Sequence, residues 1–144
     1  MASITYNYWK RDVMKADVDM DAATLYVMLI NSTGVAAANK DDHFRNTYTT
    51  YEVTGTGYTV GGAALTTLLV SEDLTNDLAY FDGADVSWAS ATITARGAIV
   101  YKSNGLTNGT TDNLICMFDF GSDQTATNGT FTIQWSTAGL IRLS

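Results

Sequence analysis

Apolar and polar residues alternate from residue 92 to residue 97, and the two sets continue to residue 101 with Ala98 and Val100 on the polar side. Ile93, Ala95, Gly97, Ile99 and Tyr101 fall on one side; Thr92, Thr94, Arg96, Ala98 and Val100 fall on the other. Successive side chains of a strand point to opposite faces, so this period of two predicts a strand with one face on a core. Trp88 anchors the start of the same stretch, 85–102 (DVSWASATITARGAIVYK). Residues 24–31 (TLYVMLIN) are almost continuously apolar, the pattern of a strand covered on both faces. Residues 43–53 alternate Tyr and Thr and predict another strand. Shorter apolar runs predict strands at 65–70, 78–81, 86–88, 114–120, 130–135 and 140–143.

Turn chemistry separates these runs. Residues 52–62 hold Gly55, Gly57, Gly61 and Gly62, which implies a sharp change of direction. Asn104-Gly105, Asn108-Gly109 and Asn128-Gly129 are strong turn signals, the last closing a polar turn over 121–129. Residues 31–42 are polar and Ala-rich and read as a loop. Only 8–16 has helical spacing, with Trp9, Val13 and Ala16 on one side. The expectation is an all-β single domain, a β-sandwich or jelly-roll-like fold of about eight to nine strands. At most one short N-terminal helix accompanies them. Residues 1–16 form an N-terminal arm or short helix, and 17–144 form the sandwich. The chain contains no proline, so its sheet edges must be protected by other devices or by partner subunits.

Composition narrows the partners. The chain has 144 residues, one domain by size. Its charged fraction is 16%, low for a free-standing soluble surface. Two readings fit: an exterior that touches other subunits, or an ordinary Thr-rich β domain. With a net charge of −7 and 8 scattered basic residues, there is no patch to neutralise phosphates. Nucleic acid and anionic membranes are therefore not expected partners. No run reaches the ~18 apolar residues of a membrane span, and the N-terminus has no secretory core. The single cysteine, Cys116, lies in the apolar run LICMF and reads as a buried small hydrophobe.

Reactive constellations fail on spacing. Asp17, Asp19 and Asp21 open like a calcium loop, but the required Gly and Glu positions hold Ala22 and Met28. A solvated acidic turn is the simpler reading; a metal site of another kind is the alternative. The glycine run at 55–61 has Val60 where a dinucleotide fingerprint needs Gly, and no βαβ unit surrounds it. One histidine, His43, rules out multi-histidine metal sites. A Cys116–His43 pair is left open by spacing, but a thiol in apolar surroundings is inert. Carboxylate pairs such as Glu52 with Asp85 carry no signal among 15 acidic residues. Trp9, Trp88 and Trp135 suit either a sugar-stacking platform or core and interface packing. No enzyme activity, cofactor or metal is expected.

Two segments then combine: 52–65 (EVTGTGYTVGGAAL) and 85–101 (DVSWASATITARGAIVY). With Phe118-Asp119-Phe120-Gly121 and the terminal GTFTIQWSTAGLIRLS, the chain resembles a family of small structural proteins of tailed bacteriophages. Gly97 departs from the pattern, which has a large residue there; either a gap or a close neighbour must compensate. The resemblance implies a virion component, a capsid decoration (cement) protein on the outer surface of the head. It implies the major capsid protein as partner and self-assembly as a homotrimer. A tail or head–tail component, or a virion-borne module binding glycans or receptors through aromatic residues, is the alternative. Trp9, Lys10, Arg11 and Lys15 are the candidates for an arm docking on the shell or a neighbouring subunit; the other reading packs this segment on its own sandwich. Trp88 and Arg96 are interaction candidates on the long strand. Arg96 is expected to pair with Glu52 or Asp85 and to fix the fold or a subunit contact.

Overall fold

The computed structural model describes residues 3–105 and 108–144. Eight strands form two antiparallel sheets, an all-β, sandwich-like fold. In chain order they are β1 (Ser3–Thr5), β2 (Leu25–Ile30), β3 (Ala63–Ala64), β4 (Leu69–Asp73), β5 (Leu78–Asp82), β6 (Val86–Lys102), β7 (Asn113–Ile133) and β8 (Ile141–Leu143). Helix α1 (Asn7–Met14) follows β1, and α2 (Ser32–Ala37) and a 3-10 helix (Arg45–Tyr51) follow β2. The larger sheet has the order β1-β7-β6-β2-β3 and the smaller β4-β5-β8.

The alternating stretch is the centre of the larger sheet, and it extends further than its sequence pattern suggests. Residues 86–88 and 92–101 belong to one strand, β6, paired along its length with β7. The polar turn expected at 121–129 is instead part of β7. Its turn residues appear as irregularities inside a continuing strand. Gln124 pairs with Ala95 and Asp119 with Gly97, so residues 120–123 stand opposite Arg96 alone. A ladder absorbs such an excess as a bulge, which bends the strand and raises its twist.

Strand β2 is covered as its apolar run predicts: of its residues only Tyr26 is not buried. Part of that cover is α2, which falls in the segment read as a loop. Asn31 caps it, its side-chain oxygen accepting from Gly34 N at 3.0 Å. Val35 of α2 reaches Gly97, where a Cβ would lie 2.7 Å from Val35 Cγ2 and 2.7 Å from Phe118 O. The small residue at this position thus admits a close neighbour rather than leaving a gap. The strand expected at 43–53 is the 3-10 helix. Arg45, Tyr48 and Tyr51 recur every third residue, and Arg45 and Tyr48 are buried. Three residues per turn puts them on one face, and that period overrides the Tyr/Thr alternation.

Residues 3–14 are part of the fold, not a free arm. β1 pairs with β7 from Phe118 to Cys116, and Tyr6 N donates to Ile115 O at 3.1 Å. Tyr6 and Trp9 are both in the hydrophobic core. A chain beginning at residue 17 is therefore expected to lose its cooperative thermal transition, measured by circular dichroism; a melt like that of the intact chain would show the segment dispensable.

The glycine turn at 55–62 packs against β2 and β6. Gly62 has φ +82°, and a Cβ there would sit 1.8 Å from Val27 O. Gly62→Ala should cost at least about 2 kcal/mol through overpacking and backbone strain, read as a lower midpoint in denaturant unfolding.

Candidate interaction surface

The six sequence candidates do not converge. Trp9 is buried beneath α1, its indole N–H directed at Met20 Sδ at 3.2 Å. Trp88 is buried as well, packed with Tyr58 and Phe131 at ring separations of 5.7 and 6.1 Å. Neither ring can stack on a ligand. Lys10 is exposed and donates to Asn7 Oδ1 at 3.3 Å. Lys15 makes an exposed ion pair with Asp17 at 3.1 Å, worth little in water.

Arg96 pairs with neither Glu52 nor Asp85. Its Nε donates to Asp119 Oδ1 at 2.9 Å, and the same oxygen accepts from Gly121 N at 2.8 Å. Residue 119 lies next to the excess residues of β7, so register placed the partner there and no sequence spacing could. The Gly121 N–H first, and Arg96 second, hold the Asp119 carboxyl below its ordinary range. Glu52 instead accepts from Tyr58 OH at 2.7 Å and Gly61 N at 2.6 Å, closing the glycine turn. Asp85 accepts from Trp135 N at 2.9 Å.

Arg11 belongs to a cluster that the sequence did not reveal. Its guanidinium lies over the Tyr8 ring at 4.6 Å and donates to Asp12 Oδ1 at 2.6 Å. Asp12 Oδ2 accepts from Asn113 Nδ2 at 2.8 Å and lies 3.1 Å from His43 Nε2. His43 is stacked between Tyr8 and Phe44, with centroids 4.2 and 3.8 Å away. Burial raises the Asp12 carboxyl, but the bonds from Arg11, Asn113 and His43 outweigh it and leave it below its ordinary value. The cluster joins α1, the segment before the 3-10 helix and the start of β7, and it offers no nucleophile. Cys116 is on the paired face of β7 beside Thr5 and Val100, and burial drives its thiol far up. It is a packing residue. Among the described residues, no three or more His, Cys, Asp or Glu side chains are grouped to hold a metal ion, the acidic turn included. Likewise no helix among them is long and apolar enough to cross a membrane.

A groove of ≈ 540 Å³ runs along β7. Because β7 bends at its excess residues, its first half faces the end of its second. Phe118 meets Trp135 at 5.3 Å and Phe120 meets Phe131 at 6.3 Å. Trp135 is held by its indole N–H, which donates to Ala84 O at 2.9 Å. Gln124, Gln134 and several threonines form the rim, and no charged side chain lines the groove. Trp135 is the one sequence-noted tryptophan that lies here; Phe118, Phe120 and Phe131 were legible only as apolar strand positions. A second, smaller groove of ≈ 370 Å³ separates the 9–21 region from β4, β5 and β8.

No family model matches the chain, and neither a curated protein nor a solved structure matches it.

Two substitutions test the polar contacts. Arg96→Ala should lower stability by about 1 kcal/mol, the scale of a partly exposed ion pair, seen as a lower melting temperature. Asp12→Ala, at a buried acceptor, should cost about 2 kcal/mol at neutral pH. Because the folded Asp12 carboxyl lies below its unfolded value, its contribution is present above about pH 4 and is lost as pH falls through the folded value. Stability of wild type and Asp12→Ala should therefore converge in acid; a gap independent of pH would refute the charged role.

Proposed function

We propose that this chain is a non-enzymatic structural component of a tailed-phage virion, a decoration protein that stabilises the outside of the head shell as a homotrimer. The major capsid protein is its partner in this reading. One observation carries most weight beside the sequence resemblance. The residues that form the resemblance build the fold instead of a reactive centre. Glu52 closes the glycine turn, Trp88 fills the core, and Arg96 holds the bulge through Asp119. A pattern spent on packing suits a protein whose work is to be a rigid block between other subunits. The acid balance of −7 fits a position outside the shell, away from packaged DNA.

The aromatic groove favours a second reading, a virion-borne module for glycans or receptors. Its floor of Phe118, Phe120 and Trp135 with an uncharged amide and hydroxyl rim suits a neutral sugar face. A tail or head–tail position is compatible with either role.

Purified protein added to head particles stripped of it should raise the particles' melting temperature in calorimetry. Unchanged melting with saturating protein would remove the decoration role. Glycan-array binding that disappears in Trp135→Ala would favour the second reading.

A further inference from the structure

We propose that Asn108 is a self-modification site: the backbone nitrogen of Gly109 converts its side-chain amide to a carboxylate through a cyclic imide. The chain holds three Asn-Gly pairs, at 104, 108 and 128. A following glycine leaves the attacking nitrogen unhindered, since it carries no Cβ. Two of the pairs sit in the same tripeptide, Asn-Gly-Thr, at 108–110 and at 128–130. Local sequence therefore does not separate them, and the fold does.

At Asn108 the reacting groups are set for attack. Oδ1 accepts from Thr110 N at 3.2 Å and from Thr110 Oγ1 at 3.0 Å, so the side chain is folded along its own backbone. These two donors draw charge from the carbonyl carbon and meet the oxygen on which negative charge develops. Among the described residues nothing accepts from Gly109 N, the nucleophile, or from Asn108 Nδ2, the leaving group. The Arg45 guanidinium lies against Gly109, where a Cβ would be 3.0 Å from Nε and 3.1 Å from Cζ. Its charge favours the anionic nitrogen that loss of the Gly109 proton leaves. Asn108 and Thr110 are exposed, so solvent reaches the amide. The other two pairs are tethered. Asn128 lies inside β7 with Gly129 paired to Ala91; its N donates to Thr92 Oγ1 at 3.1 Å, and its Oδ1 faces the same hydroxyl at 3.5 Å. Asn104 is held by its leaving group, Nδ2 donating to Thr111 O and to Asn113 Oδ1, while Gly105 N donates to Ser103 Oγ.

Solvent hydroxide removes the Gly109 amide proton as water. The nitrogen then bonds to Asn108 Cγ, the Cγ–Nδ2 bond breaks, and Nδ2 leaves as ammonia with a proton from water. Water opens the imide at either carbonyl. Opening at Cγ leaves an aspartate at 108. Opening at the main-chain carbonyl routes the chain through Cγ, an isoaspartate with an added methylene in the backbone. Either product places a carboxylate one residue from the Gly109–Arg45 contact, where it competes with Asp112 for the guanidinium. The longer product also displaces Gly109, whose carbonyl accepts from Asn46 N at 3.1 Å. Both loosen the tie between the β6–β7 loop and the 3-10 helix. The reaction needs no partner and is independent of any place on a virion.

Peptide mapping by mass spectrometry tests this on the purified full chain, held in mildly alkaline buffer and sampled over time. In the folded chain Asn108 should convert about tenfold faster than Asn128, the scale of one hydrogen bond's worth of barrier, and faster than Asn104. In denaturant the two Asn-Gly-Thr sites should converge, and Asn108 should react more slowly than when folded. Thr110→Val, at an exposed position, should slow Asn108 about tenfold, less than a donor in a water-excluded site contributes. It should leave Asn128 and the near-ultraviolet dichroism unchanged. Aged chain separated by anion exchange should carry isoaspartate at 108 and melt below fresh chain. Asn104 or Asn128 converting as fast as Asn108 in the folded chain would overturn the inference, as would an Asn108 rate no higher folded than denatured; neither measurement needs a variant. A wild-type rate in Thr110→Val would refute the polarising role of the hydroxyl, and an unchanged melt after ageing would refute the loosening.

Discussion

The structure depends on an unequal register between its two longest strands. Four residues of β7, 120–123, stand opposite Arg96 of β6. A ladder with that mismatch cannot stay flat, and the Arg96–Asp119 pair with the Gly121 amide fixes the excess in one conformation. Everything on either side takes its environment from that point. Before it, the β7 residues Leu114 to Met117 and their β6 partners are buried, sandwiched by α1, α2 and β2. Beyond it, Trp88, Ile93, Phe131 and Ile133 continue the core, Thr92 bridges to Thr56, and an aromatic groove opens along β7.

Buried polar groups do a different job: each closes a long-range connection that apolar packing leaves unspecified. Asp112 accepts from Arg45 at 2.9 Å and from Asn104 N at 2.8 Å, tying the β6–β7 loop to the 3-10 helix. Arg45 also lies over the Tyr101 ring at 4.8 Å. Asp12 ties α1 to β7, and Glu52 ties the glycine turn to itself beside Tyr58. Such groups contribute little net energy compared with apolar substitutes, because desolvation offsets most of the attraction. Removing one partner is costly, since it strands the other without water. Placed at segments far apart in sequence, they select which segments meet.

The fold class was legible because it follows from local alternation and turn residues, both properties of neighbouring positions. β2, β5, β8 and α1 lie within a residue or two of their sequence patterns for the same reason. The misreadings arose where a longer-range fact decided. Gly121 and Asn128-Gly129 carry strong turn chemistry, yet β6 supplies a continuous partner, so the chain keeps pairing through them. The 3-10 helix has Tyr/Thr alternation that a strand would share; its three-residue burial period appears only once the core exists. Helix α2 is only six residues long and holds by packing on Gly97, which no local pattern in the loop-like 31–42 segment shows. Aromatic and basic residues near the N-terminus fitted either a docking arm or a segment packed on its own sandwich; Trp9 and Tyr6 are core residues, which is the second arrangement. Burial is set by the whole fold, and a tryptophan looks alike in sequence whether it faces a ligand or a methionine.

Charge placement links the fold to the proposed assembly. The acidic residues crowd the turns at 17–21, 41–42 and 72–77, while residues 86–95 and 124–141 carry none. Long-range repulsion at −7 would keep copies apart, with a range of about 8 Å at physiological ionic strength. Repulsion of that range orients as well as opposes, since approach is least costly with the uncharged ribbon leading. Proline is the residue that most cheaply ends strand pairing, and its absence leaves the β6–β7 ladder free to run on through its own turn residues.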